Sequence, residues 1–261
     1  MKFLKVTLVA ACFLFCTNPA YADDDVRVVY EKPKNSIESA VKLRLEKSGV
    51  IEAVTTFIND SYHLPKRLVF SFGAEDGPLY DSEINQISVP YSFIEEIENR
   101  FIAAKYEESG VSVQEATDDA LMHTLFHEFA HAAIYMYELP VLGKEEDAAD
   151  GLSTVLLTEF FDDGQEIAIS AADLFNLESS DVETLEKEDF WDEHSLDIQR
   201  YYSTLCYVYG SDPEKYATYI DEHLSEERAE LCVEEYEMIS QSWLVCNRSF
   251  HRVIDSRIIQ I

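Results

Sequence analysis

Basic residues are scarce in this chain. Lysine and arginine number 20 against 51 aspartates and glutamates, a formal net charge of −31 at neutral pH. A surface of that sign repels the phosphates of nucleic acid and of anionic lipid, so neither is expected as a partner. It attracts basic peptides mildly and favours solubility. Cysteine is also scarce, at five residues. Two of these precede residue 17, which leaves Cys206, Cys232 and Cys246. Three are too few for a disulfide scaffold, and no CxxC spacing suggests a thiolate metal site. One pair can bridge in an oxidising compartment, with three pairings open. The single long apolar run, Val6 to Phe15, is too short to span a bilayer comfortably. Linkers rich in Pro, Gly or Ser are missing after residue 22, and so are internal repeats; the biased run is Asp23-Asp24-Asp25.

The apolar run has a specific setting. Lys2 and Lys5 precede it, and Ala20-Tyr21-Ala22 follows with the small-x-small pattern of a signal peptidase site. That is the layout of a secretory signal peptide over residues 1–22. Cys16 does not suggest a lipoprotein, because Phe15 before it is too bulky. Losing residues 1–22 removes two lysines and no acid, leaving 18 bases against 51 acids and a charge of −33. The expectation is an exported protein, periplasmic or secreted, with no membrane insertion after signal removal and one domain over 23–261. Asn59 and Asn247 open Asn-x-Ser triplets, which matter only in a host that glycosylates.

Strands are expected at Val26 to Tyr30, Arg67 to Phe72 and Ile84 to Val89, with Ala74 to Asp81 a loop rich in Gly, Pro and Asp. Asn35 or Ser36 can cap a helix running to about Tyr62, weakened in its middle by Gly49. Tyr91 to Tyr106 reads as helix. Ser112 and Glu115 have capping-box spacing and open a helix through Glu138. Further helices are expected at about Lys144 to Phe161, Gln165 to Leu177, Ser195 to Tyr209, Pro213 to Leu224 and Glu226 to Val245. The fold class is therefore α+β, a small sheet early and helices late.

The chemistry centres on His127-Glu128-Phe129-Ala130-His131. Residues four apart share one helix face about 6 Å apart, so two imidazoles can grip one ion. Glu128, beside the first ligand, can reach a metal-activated water without binding the metal. Zinc brings that water's pKa toward neutrality and a carboxylate takes its proton, which is why this residue order carries a mechanism. Leu121, Leu125, Phe126, Phe129, Ala130, Ala133 and Ile134 make the helix apolar almost all round, hence buried. Buried histidines and a glutamate need partners, which a metal supplies or, in the plainer alternative, nearby carbonyls.

Zinc needs a third protein ligand if one position is to stay open. Glu146 follows His131 by 15 residues and opens the next helix, beyond the Pro140–Gly143 turn. Asp150 lies one turn later and can hold the other nitrogen of a ligand histidine. Glu145 competes for the ligand role but points about 100° away from Glu146. His123 extends the histidine stripe, yet its rise of about 12 Å to His131 excludes a shared ion, so a polar role near the site is expected. An oxyanion donor is also required, and His194 is the candidate, with Tyr201 and Tyr202 behind it.

The segment from His127 to Asp150 resembles the zincin peptidases with a glutamate third ligand, the thermolysin-like gluzincins. There His-Glu-x-x-His is followed by a helix bearing Glu-x-x-x-Asp, which His127, His131, Glu146 and Asp150 match. More closely, the chain resembles a bacterial family of exported proteins of unknown function assigned to the metallopeptidases. The matching strings are Leu139 to Gly143, Glu145 to Asp150, Asp192 to Asp197 and Tyr207 to Pro213. The resemblance implies one zinc per chain on His127, His131 and Glu146, and a zincin fold. It also implies an edge strand that pairs with substrate backbone, for which Asn85 to Val89 is the candidate, and a Cys206–Cys232 disulfide.

The expected function is zinc-dependent hydrolysis of a peptide or protein substrate outside the cytoplasm. The alternative is an inert metal- or peptide-binding protein on the same scaffold, against which Glu128 argues, since a pure binding site needs no carboxylate there. Deformylase-type amidases carry a similar helix but take a cysteine ligand upstream, and none lies between residue 23 and His127.

Overall fold

The computed structural model describes residues 25–182 and 184–247. The expected signal peptide, the Cys246 side chain and the triplet at Asn247 lie outside what it describes.

Four strands form one mixed sheet: β1 (Val26–Tyr30), β2 (Leu68–Phe72), β3 (Leu79–Asp81) and β4 (Gln86–Val89), in the order β1-β2-β4-β3. β1, β2 and β4 run parallel, and β3 is antiparallel to β4. The parallel β1–β2 pair needs a crossover, supplied by α1 (Ser36–Ser48) and α2 (Val50–Ser61). Asn35 starts α1, its side chain accepting from the Ile37 and Glu38 amides. The single helix expected to about Tyr62 is in fact two, because Gly49 takes φ +82° and turns the chain.

The expected edge strand requires correction. β4 is interior; the edge strands are β1 and β3, the latter drawn from the segment read as a loop. Asn85, at φ +54°, lies in the turn rather than the strand. Three residues are too few to display an alternating pattern, so β3 exists through its pairing to β4 and not through its own sequence. Leu68, Phe70, Phe72, Ile87 and Val89 are fully buried on the helix-covered sheet.

The rest is helical: α3 (Tyr91–Ala103), a 3-10 turn (Tyr106–Ser109), α4 (Val113–Tyr137), α5 (Glu145–Phe160), α6 (Gly164–Ser179), α7 (Asp197–Ser211), α8 (Tyr219–Glu222) and α9 (Glu226–Asn247). This is the expected α+β class. The helix expected over Pro213 to Leu224 shrinks to α8. Lys215 and Tyr216 are held by Glu166 at 2.7 and 2.9 Å, and those bonds shape turns in its place. Ser112 caps α4 by accepting from the Glu115 amide. α4 is the central element, packed between α2 and the sheet on one side and α5 and α6 on the other. Phe126 and Phe129 meet Phe57 and Tyr62 of the crossover edge-on at 5.6 and 4.8 Å. Cys206 and Cys232 are disulfide-bonded, joining α7 to α9, as the resemblance implied. Among the described residues no helix is long and apolar enough to cross a membrane.

Candidate metal centre

His127 and His131 project from one face of α4 with their Nε2 atoms 3.2 Å apart. Glu146, in the first turn of α5, places Oε2 at 3.0 Å from His127 Nε2 and 3.2 Å from His131 Nε2. Metal–ligand bonds of about 2.0–2.1 Å in a tetrahedron put neighbouring donors about 3.3 Å apart, so these three atoms can share one ion. Two imidazoles and a carboxylate form a donor set suited to zinc. The donors therefore fit the metal that the motif implies.

Each histidine is gripped at its far nitrogen. His127 Nδ1 donates to Asp150 Oδ1 at 2.7 Å, and His131 Nδ1 to Glu145 Oε1 at 2.8 Å. Such contacts set the tautomer that leaves Nε2 free to coordinate. Glu145, expected to point away, reaches round the start of α5 to hold His131. Burial opposes ionisation of Glu146, but its close contacts with the imidazoles of His127, His131 and His194 hold its carboxyl well below the usual range. Asp150 is likewise driven down, against its burial, by Arg200 and His127.

His194 Nε2 lies 2.9 Å from Glu146 Oε2, its ring stacked beside His127 with centroids 6.3 Å apart. The structure thus brings it to the same carboxylate as the two motif histidines. Tyr201 and Tyr202 do not stand behind it in the cleft. Tyr201 bonds His223 Nδ1 at 3.1 Å, and Tyr202 faces solvent. His123 is 2% exposed, one turn before His127, and outside the donor group. Burial lowers its pKa to about 4, so the ring is neutral.

These groups floor a cleft of about 360 Å³, walled by Leu79 and Tyr80 of β3 and by Tyr135. Glu128 lines it yet is only 6% exposed. Burial pushes its carboxyl up, while the imidazoles of His127 and His131 pull the other way. A carboxylate raised in this manner is a better proton acceptor near neutrality.

Three contributors escaped sequence reasoning. Arg200, on α7, forks onto Asp150 at 2.8 and 3.0 Å and stacks over Phe175 at 3.9 Å. Lys144 donates to the carbonyls of Asp192 and His194 at 3.0 and 2.9 Å, tying the His194 loop to the start of α5. Tyr135, two turns from His127, had only its helical phase as a signal. For Arg200 the signal was a rare arginine three residues after Asp197.

The sequence model of a protein family described as "Putative metallopeptidase" matches residues 30–246. Neither a curated protein nor a solved structure matches the chain.

Proposed function

The chain belongs to this family, whose description is "Putative metallopeptidase", and from that premise we propose that it is a zinc-dependent peptidase acting on peptides or proteins outside the cytoplasm. The observation carrying the proposal is the meeting of His127, His131 and Glu146 beside a buried Glu128 at the floor of an open cleft. The leader-like start of the sequence and the Cys206–Cys232 disulfide support export into an oxidising compartment.

In this reading His127, His131 and Glu146 hold the zinc, one ion per chain. When bound, zinc supplies Lewis acidity, polarising a carbonyl and lowering the pKa of a water. Glu128 accepts the proton of the attacking water and passes it to the leaving amine. His194 donates a hydrogen bond to the carbonyl oxygen as negative charge grows there. Asp150 and Glu145 keep both ligand rings in one orientation, and the free edge of β3 offers main-chain partners to an extended peptide.

Elemental analysis of purified protein should find one zinc per chain. Glu128→Gln should retain that zinc and lose about 10²–10⁴-fold in cleavage of an unbiased peptide library. Equal cleavage by both proteins would remove Glu128 from the role, and a protein without metal would remove the proposal.

A further inference from the structure

A second cavity opens beside the cleft, across His194. Its volume is about 390 Å³, and His194 lines both hollows. The wall is aliphatic: Val182, Leu185, Leu196 and Ile198. Val182 and Leu185 are each nearly half exposed, and Phe190 and Trp191 of the same loop are more exposed still. Apolar side chains left in water next to a reactive centre gain from being covered by a ligand.

Aspartates dominate the charged groups around that wall, with His194 the exception. Asp189, Asp192 and Asp197 line the cavity, and no lysine or arginine stands among its described lining residues. Asp189 accepts from the Glu186 amide at 2.7 Å and Asp192 from the His194 amide at 2.9 Å. Asp189 has no ion-pair partner among the described residues, whereas Asp192 Oδ1 lies 3.5 Å from His194 Nδ1. Asp197 Oδ1 lies 3.7 Å from Arg200 Nη1, the guanidinium nitrogen not engaged by Asp150. An apolar wall rimmed by three aspartates, of which Asp189 has no cationic partner among the described residues, is complementary to a side chain with a long methylene stem and a cationic head.

We propose that this cavity is the specificity subsite of the cleft, seating a lysine or arginine side chain of the substrate next to the bond being hydrolysed. The stem lies on Leu185, Val182 and Ile198, and the head reaches Asp189 and Asp192. Acidic side chains are repelled from the same place. The inference rests on the peptidase reading above and narrows its substrate class to basic peptides.

The test uses the full-length, zinc-loaded protein. A peptide that it cleaves is remade with lysine, arginine, norleucine or glutamate at each position flanking the scissile bond. One position should prefer lysine or arginine over norleucine by about tenfold in kcat/KM, with glutamate poorer still. Asp189→Lys should invert that preference, and Leu185→Arg, which plants a resident cation in the cavity, should abolish it. Both variants should keep one zinc per chain, and the readout is the ratio of lysine to norleucine kcat/KM rather than either rate alone. The same peptides, labelled, are titrated onto zinc-loaded Glu128→Gln by fluorescence polarisation. Cleavage without a preferred basic position, an equal gain from lysine at every position, or a preference untouched by both variants would overturn the subsite alone. Position-specific binding of basic peptides with no turnover by wild type would uphold the subsite and defeat the peptidase reading.

Discussion

Arg200 grips both oxygens of Asp150: Nε sits 2.8 Å from Oδ2 and Nη2 3.0 Å from Oδ1, the oxygen that also takes His127 Nδ1. A guanidinium on α7, a carboxylate on α5 and an imidazole on α4 form one buried relay ending at the candidate metal. Its members lie 50 and 23 residues apart in the chain.

Removing either member of the relay that is not itself a ligand should weaken zinc binding. Arg200→Met and Asp150→Asn are each expected to lower zinc affinity by about 10–100-fold, measured by competition with a chelating dye. Arg200→Lys should recover little, because an ammonium lacks the two-pronged geometry. Wild-type affinity in both Arg200→Met and Asp150→Asn would mean the relay serves packing alone.

The two neighbouring glutamates of α5 should separate cleanly. Glu146→Ala removes a donor atom and should abolish stoichiometric zinc. Glu145→Ala removes only the group on His131 Nδ1 and should cost affinity about tenfold while leaving one zinc per chain. Stoichiometry measured after dialysis decides between them, and the reverse order would shift the ligand by one residue.

The contact of α7 with α9 depends on Gly210. A Cβ built there would stand 2.3 Å from the Cys232 carbonyl oxygen and 2.6 Å from the Tyr236 Cβ. The helices must part to admit it, so Gly210→Ala should destabilise the fold by about 1–3 kcal/mol in urea titration. A midpoint equal to wild type would show that the two helices yield freely at this contact.

Asp119 predicts a pH effect remote from the metal. Burial, with the nearby charges of Glu115 and Asp118, raises its pKa from 3.8 to about 6, although Ser170 donates to it at 2.8 Å. Between about pH 4 and 6 the folded state therefore holds a proton that the unfolded state has released, and this group's contribution to stability falls as pH rises. Asp119→Asn cannot ionise. The stability of the variant relative to wild type should rise by about 1–3 kcal/mol from pH 4 to 7.5. A pH-independent difference would contradict the raised pKa.

What was legible in the sequence was local or periodic. The spacing of His127 and His131 follows from one helical turn, and the apolar residues around them announce a buried helix. Ser112 and the Pro140–Gly143 turn mark ends because each acts on its own backbone, whereas Gly49 reads only as a weak point in one helix that its φ of +82° in fact divides in two. Glu146 and Asp150 share a face for the same helical reason, which is why their relation to each other could be read even before their relation to His127.

Only the tertiary structure decided what depends on contacts between distant segments. β3 is a strand because β4 pairs with it, and that pairing moved the sheet edge from Asn85 to Val89 onto Leu79–Asp81. Glu145 finds His131 because the turn after α4 sets the angle at which α5 begins. Arg200, Lys144 and the acidic cavity beside His194 meet the centre across 50 residues of chain or nearly so. A sequence records which groups a chain owns and how a helix spaces them. Which groups face one another is settled when α4, α5 and α7 bury their apolar sides together, since that packing sets the few ångströms on which coordination and hydrogen bonding depend.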